Sequence, residues 1–109
     1  MRVARVDANH REIVAALREI GASVLDLSAV GKGAPDLAVG FRGRNWLVEC
    51  KDGKKSASRR VLTPAQVEFK ATWRGQWAVV NSAEQAIELV SRTGLPQVAG
   101  LAGVVDSTP

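Results

Sequence analysis

The sequence predicts an α/β domain whose elements follow the order α-β-β-β-α-β-α, and three observations predict it. Two apolar runs of strand length, Asp36-Leu-Ala-Val-Gly-Phe41 and Asn45-Trp-Leu-Val-Glu-Cys-Lys51, flank Arg42-Gly43-Arg44 and read as a β-hairpin. Ahead of them Ile13, Leu17 and Ile20 recur at helical spacing. After them, Thr63-Pro64-Ala65-Gln66 and Ser82-Ala83-Glu84-Gln85 each open a helix by capping chemistry, with the strand-like Gln76-Trp-Ala-Val-Val-Asn81 between.

The first helix is capped by Asp7 or Asn9 and runs to about Ile20, where Gly21 ends it. The first strand spans Ala22 to Val30, a loose alternation of apolar residues. Gly31-Lys-Gly-Ala-Pro35 then forms a turn whose glycines permit tight backbone beside Asp36. After the hairpin, the polar segment from Asp52 to Arg60 reads as a loop. Thr63, Pro64 and Gln66 supply the N-cap, the first helical position and the reciprocal cap of a helix reaching about Trp73. The final helix reaches about Arg92.

A length of 109 residues with 46% hydrophobic content predicts one domain with a modest core. That domain is expected over residues 1–94, with 95–109 as a Gly-, Val- and Ala-rich tail packing on the domain or on a partner subunit. The net charge of +4 and a pI near 9.8 favour an anionic partner. Position matters more than total. Arg42 and Arg44 sit at the hairpin turn, and Lys51, Lys54, Lys55, Arg59 and Arg60 fall within ten residues of sequence. The single cysteine precludes an internal disulfide and a Cys-rich zinc site, and implies a reduced thiol. No signal peptide or membrane span is expected, and the expected compartment is the cytoplasm.

The chemistry lies at the hairpin's open end. In an antiparallel pair the start of one strand lies beside the end of the other, so Asp36 and Glu49, with twelve residues between them, come together. Alternation places Glu49 and Lys51 on one face and Cys50 on the other. A carboxylate pair facing a lysine suits a hard divalent cation and action on a phosphodiester: oxygen ligands for Mg²⁺ or Mn²⁺, and an ammonium to orient water or offset charge. Plainer readings exist: Asp36 as a turn aspartate, Glu49 salt-bridged to Lys51, Gln66 as a cap alone. His10 reads as a surface residue, and Trp46, Trp73 and Trp77 as core or dimer packing.

Together these segments resemble the PD-(D/E)xK nuclease superfamily, and more narrowly its VRR-NUC domains, with archaeal-type Holliday junction resolvases as near relatives. The resemblance runs from about Asn9 to Val90. It rests on Gly33-Ala34-Pro35-Asp36-Leu37, Leu47-Val48-Glu49-Cys50-Lys51 and Leu62-Thr63-Pro64-Ala65-Gln66. It implies a restriction-endonuclease-like core, a mixed central sheet flanked by helices. It also implies a metal-dependent, structure-selective DNA endonuclease of DNA repair, recombination or phage replication, small stand-alone domains of this kind occurring in bacteria and their phages.

By the same resemblance Asp36, Glu49 and the backbone carbonyl of Cys50 hold one or two Mg²⁺ or Mn²⁺ ions. Glu12 on the first helix assists, with Glu19 as its competitor, while Lys51 and Gln66 arrange the attacking water. Arg42, Arg44, Lys54, Lys55, Arg59 and Arg60 are the expected contacts to branched or duplex DNA, and a homodimer is the expected assembly. The rival reading is a non-catalytic nucleic-acid-binding module or accessory subunit on the same fold.

Overall fold

The computed structural model describes residues 8–53 and 61–92. Its elements are α1 (Ala8–Glu19), β1 (Ser23–Asp26), β2 (Leu37–Phe41), β3 (Arg44–Cys50), α2 (Pro64–Thr72), β4 (Trp77–Val80) and α3 (Ala83–Ser91). The expected order is the observed one. The four strands form one mixed sheet in the order β1-β2-β3-β4, antiparallel through β3 and parallel between β3 and β4. A parallel neighbour needs a crossover, and the segment carrying α2 supplies it.

Local chemistry sets the boundaries. Gly21, at φ +97°, ends α1 in a Schellman arrangement: its N–H reaches the Arg18 carbonyl at 3.0 Å and the Ala22 N–H reaches that of Leu17 at 3.0 Å. The hairpin loop is two residues, Arg42 and Gly43, at φ +54° and +79°. Two successive left-handed residues match the twist of the flanking strands. α2 carries the expected capping box, with Thr63 accepting from the Gln66 N–H and Gln66 accepting from the Thr63 N–H. Ser82 caps α3 by accepting from the Gln85 N–H.

Two expectations are corrected. β1 stops at Asp26 instead of reaching Val30, because the Asp26 carboxylate accepts from both the backbone N–H and the hydroxyl of Ser28 and turns the chain. Asn9 does not cap α1 but lies inside it, and its amide donates to the carbonyls of Lys51 at 2.9 Å and Asn81 at 3.4 Å. Asp7 and the tail 95–109 lie outside the described residues.

The core lies on one face of the sheet. Leu37, Val39, Trp46 and Val48 point there, against Ile13 and Leu17 of α1 and Ala86, Leu89 and Val90 of α3. On the opposite face α2 buries no residue. It leaves a groove of 460 Å³ over Leu25, Ala38 and Leu47, bounded by Trp73. Leu25 is 62% and Trp73 44% exposed, and Trp73 stacks on Phe69. Trp46, by contrast, is core. Among the described residues no helix is long and apolar enough to cross a membrane.

Candidate active site

The hairpin register builds the site. Leu37 pairs with Val48, so one step further puts Asp36 opposite Glu49, at the end of the sheet away from the turn. Asp36 is held there by the backbone of the facing strand, its Oδ2 accepting from the Cys50 N–H at 2.7 Å. Glu49 and Lys51 share the face away from the core, with Lys51 Nζ 3.5 Å from Glu49 Oε2.

Gln66 closes the circuit. Its Nε2 donates to Glu49 Oε2 at 2.9 Å, and its Oε1 accepts from Lys51 Nζ at 3.1 Å as well as from the Thr63 N–H. The side chain that caps α2 therefore also spaces the carboxylate from the ammonium. α2 can come this close because Gly33, at φ +81°, has no side chain. A Cβ there would fall 2.2 Å from the Ala65 carbonyl oxygen. Gly33→Ala is expected to cost roughly 2–4 kcal/mol, from left-handed strain and from displacing backbone. It would also separate Gln66 from Glu49. Denaturant unfolding of the variant checks this, and a midpoint equal to that of the native chain would remove the argument.

Glu49 is 4% exposed, and its carboxyl is pushed up from the usual 4.5 to about 7. Burial is the main cause and the neighbouring Asp36 charge the next, with Lys51 pulling the other way. A buried carboxylate and a half-buried one crowded beside a single ammonium lack positive charge. A divalent cation would supply it, and the oxygen donors of Asp36, Glu49 and the Cys50 backbone fit a hard ion such as Mg²⁺ or Mn²⁺.

The structure does not gather all the expected residues. Glu12 is exposed and lines a separate polar cleft with Asn9, Asp52 and Glu84. Arg42 and Arg44 occupy the far end of the hairpin, Arg44 opposite Phe41 and Arg42 just past it, about 17–20 Å from Asp36 at strand rise. Arg42 lies over the Phe41 ring, and Arg44 donates to the Arg92 carbonyl at the end of α3. Lys54, Lys55, Arg59 and Arg60 lie outside the described residues.

His10 is corrected: it is 8% exposed instead of a surface residue. It stands three residues before Ile13 and seven before Leu17, on the buried stripe itself, and that spacing was the available signal. Asn9 is the other residue sequence reasoning missed. No local pattern announces an asparagine that ties α1 to the ends of β3 and β4, since its partners are 42 and 72 residues away.

No family model matches the sequence, and no curated protein matches it. A solved structure described as a VRR_NUC domain does match, with a TM-score of 0.55 and 30% sequence identity over 73% of this chain and 87% of that one. With the mixed sheet, the flanking helices and the Asp36, Glu49, Lys51 and Gln66 cluster at its open end, the chain belongs to the VRR_NUC domain family, a nuclease-type domain on a restriction-endonuclease-like core.

Proposed function

We propose that this chain is a Mg²⁺- or Mn²⁺-dependent, structure-selective DNA endonuclease that hydrolyses phosphodiester bonds in DNA repair, recombination or phage replication. The observation that carries the reading is the closed Glu49, Lys51 and Gln66 circuit beside Asp36. Asp36, Glu49 and the Cys50 carbonyl would hold one or two ions, and Glu12, which lines the separate cleft, would join them only through a rearrangement of its side chain. When bound, the ion offsets charge on the scissile phosphate and activates the attacking water.

The remaining work falls to side chains. Lys51, held against Glu49 and Gln66, presents an ammonium where charge develops and orients the nucleophile. Gln66 fixes the distance between that ammonium and the carboxylate. Asp36 is aimed by the Cys50 N–H, so its position does not depend on a flexible loop. Products with a 3′-hydroxyl and a 5′-phosphate follow the family chemistry. Lys54, Lys55, Arg59 and Arg60 would hold the phosphate backbone, with Arg42 and Arg44 reaching phosphates about five base pairs along a duplex from the site at ~3.4 Å per step.

Phosphate contacts fix register without reading sequence, which favours selection by DNA shape. Arg42→Ala is expected to lessen the slope of log affinity against log salt by about 0.9, while the cleavage position stays the same. Binding measured at four salt concentrations checks it; an unchanged slope would remove Arg42 from the interface. The groove over Leu25 and Ala38, which no described residue covers, supports a homodimer, and a single 11.6 kDa species in sedimentation would argue against one. The test of the whole reading is cleavage of labelled duplex, flap, fork and four-way junction DNA with Mg²⁺ or Mn²⁺. Preferential cutting of branched forms supports it, and uniform cutting would overturn structure selectivity.

A further inference from the structure

The donors of the proposed nuclease centre are all oxygens, with Glu49 on the sheet face away from the core and Asp36 at the strand end, within reach of both faces. Strand alternation sends the Cys50 side chain to the other face, where it packs partly against the core. There it meets His10, and one donor atom each of His10, Cys50 and Asp36 lies within 4.8 Å of the other two. We infer that His10, the Cys50 sulfur and Asp36 form a second cation site, selective for a borderline transition metal of the Zn²⁺ class.

The donor chemistry carries the selectivity. Thiolate and imidazole suit Zn²⁺ and Co²⁺, whereas Mg²⁺ and Ca²⁺ take oxygen. Zn²⁺ bonds of 2.0–2.3 Å in a tetrahedral arrangement put donors about 3.3–3.7 Å apart, so the cluster needs to contract by only about 1 Å. The framework is already placed. Asp36 is fixed by the Cys50 N–H at 2.7 Å, and His10 is embedded in the buried stripe of α1. His10 Nε2 also lies 3.8 Å from Asp26 Oδ2, beyond hydrogen-bond distance, so Asp26 is a charge neighbour of the ring.

Asp36 belongs to both sites. Occupation of the Zn²⁺ site therefore changes affinity for Mg²⁺ at the oxygen site, and by linkage the reverse holds by the same factor. Binding of the transition metal itself does not depend on the nuclease reading.

The test uses the native chain with Co²⁺ as a spectroscopic probe. Expected is a near-ultraviolet thiolate-to-cobalt charge-transfer band that saturates near one equivalent, is bleached by Zn²⁺ and persists in excess Mg²⁺. Cys50→Ser is expected to abolish the band, and His10→Gln to weaken Co²⁺ affinity at least about tenfold, the size typical for loss of a metal-supporting group. In the unsubstituted chain, Zn²⁺ should also slow reaction of Cys50 with a thiol reagent, a readout independent of whether either variant folds. Co²⁺ binding without the band, or a thiol as reactive with Zn²⁺ as without it, would overturn the site.

Discussion

Asp36→Ala is expected to lower kcat/KM for DNA cleavage by at least about 10³-fold while DNA affinity stays within about twofold, because charge stabilisation at the reacting phosphate is worth several kcal/mol. The carboxylate is not a peripheral charge. It is aimed by the Cys50 N–H and lies opposite Glu49 in the hairpin register. Lys51→Ala should be comparably damaging. Lys51 is the ammonium beside Glu49, and its loss leaves a buried carboxylate and the Gln66 oxygen without their cation. Single-turnover cleavage of both variants, with folding checked by circular dichroism, measures the effect. Either variant cutting within tenfold of the native rate would detach that residue from the chemistry.

Glu49→Gln is expected to do two opposite things: abolish metal-dependent cleavage and raise the stability of the metal-free protein at alkaline pH. The carboxyl titrates near 7 in the folded chain against a usual 4.5, because it is buried and faces Asp36. Between those values the folded state binds more protons than the unfolded state, so stability falls as pH rises through the window and the full cost is present above it. At pH 8 the glutamine variant should be more stable by roughly 1–3 kcal/mol, a gain that fades toward pH 5. Part of the gain is offset, since Lys51 loses its counter-charge. Mg²⁺ should stabilise the native chain more at pH 8 than at pH 5.5 and leave the variant unmoved, as cation binding requires the ionised carboxylate. Denaturant unfolding at the two pH values decides it; a variant no more stable than the native chain at pH 8 would mean that Glu49 carries no such cost.

The parts of the site that the sequence made legible are those fixed by short-range periodicity. Alternation along β3 was enough to put Glu49 and Lys51 together and Cys50 opposite, and antiparallel geometry was enough to bring Asp36 to Glu49. Gln66 was readable as a cap, and its bonds to Glu49 and Lys51 appear only when α2 lies against Gly33. Long-range effects stayed hidden. The bond from Asn9 to the Lys51 carbonyl spans 42 residues, and no local rule predicts it. His10 was hidden for another reason, since one polar residue on an apolar stripe reads as its solvent edge until its i+3 and i+7 partners are seen to be buried. The end of β1 turned on Asp26 bonding its own neighbour Ser28, a local competition that apolar alternation beyond it concealed.

Asp36, Glu49, Lys51 and Gln66 are proposed to make a metal-dependent centre for phosphodiester hydrolysis. The most direct measurement is cleavage of end-labelled DNA by the native chain with Mg²⁺ and with a chelator, alongside Lys51→Ala under identical salt. Cutting that requires Mg²⁺, leaves ends that ligase rejoins and disappears in Lys51→Ala is the predicted result. Salt-sensitive DNA binding with no cleavage under Mg²⁺ or Mn²⁺ would contradict it, and would make the domain a binding module on a nuclease fold.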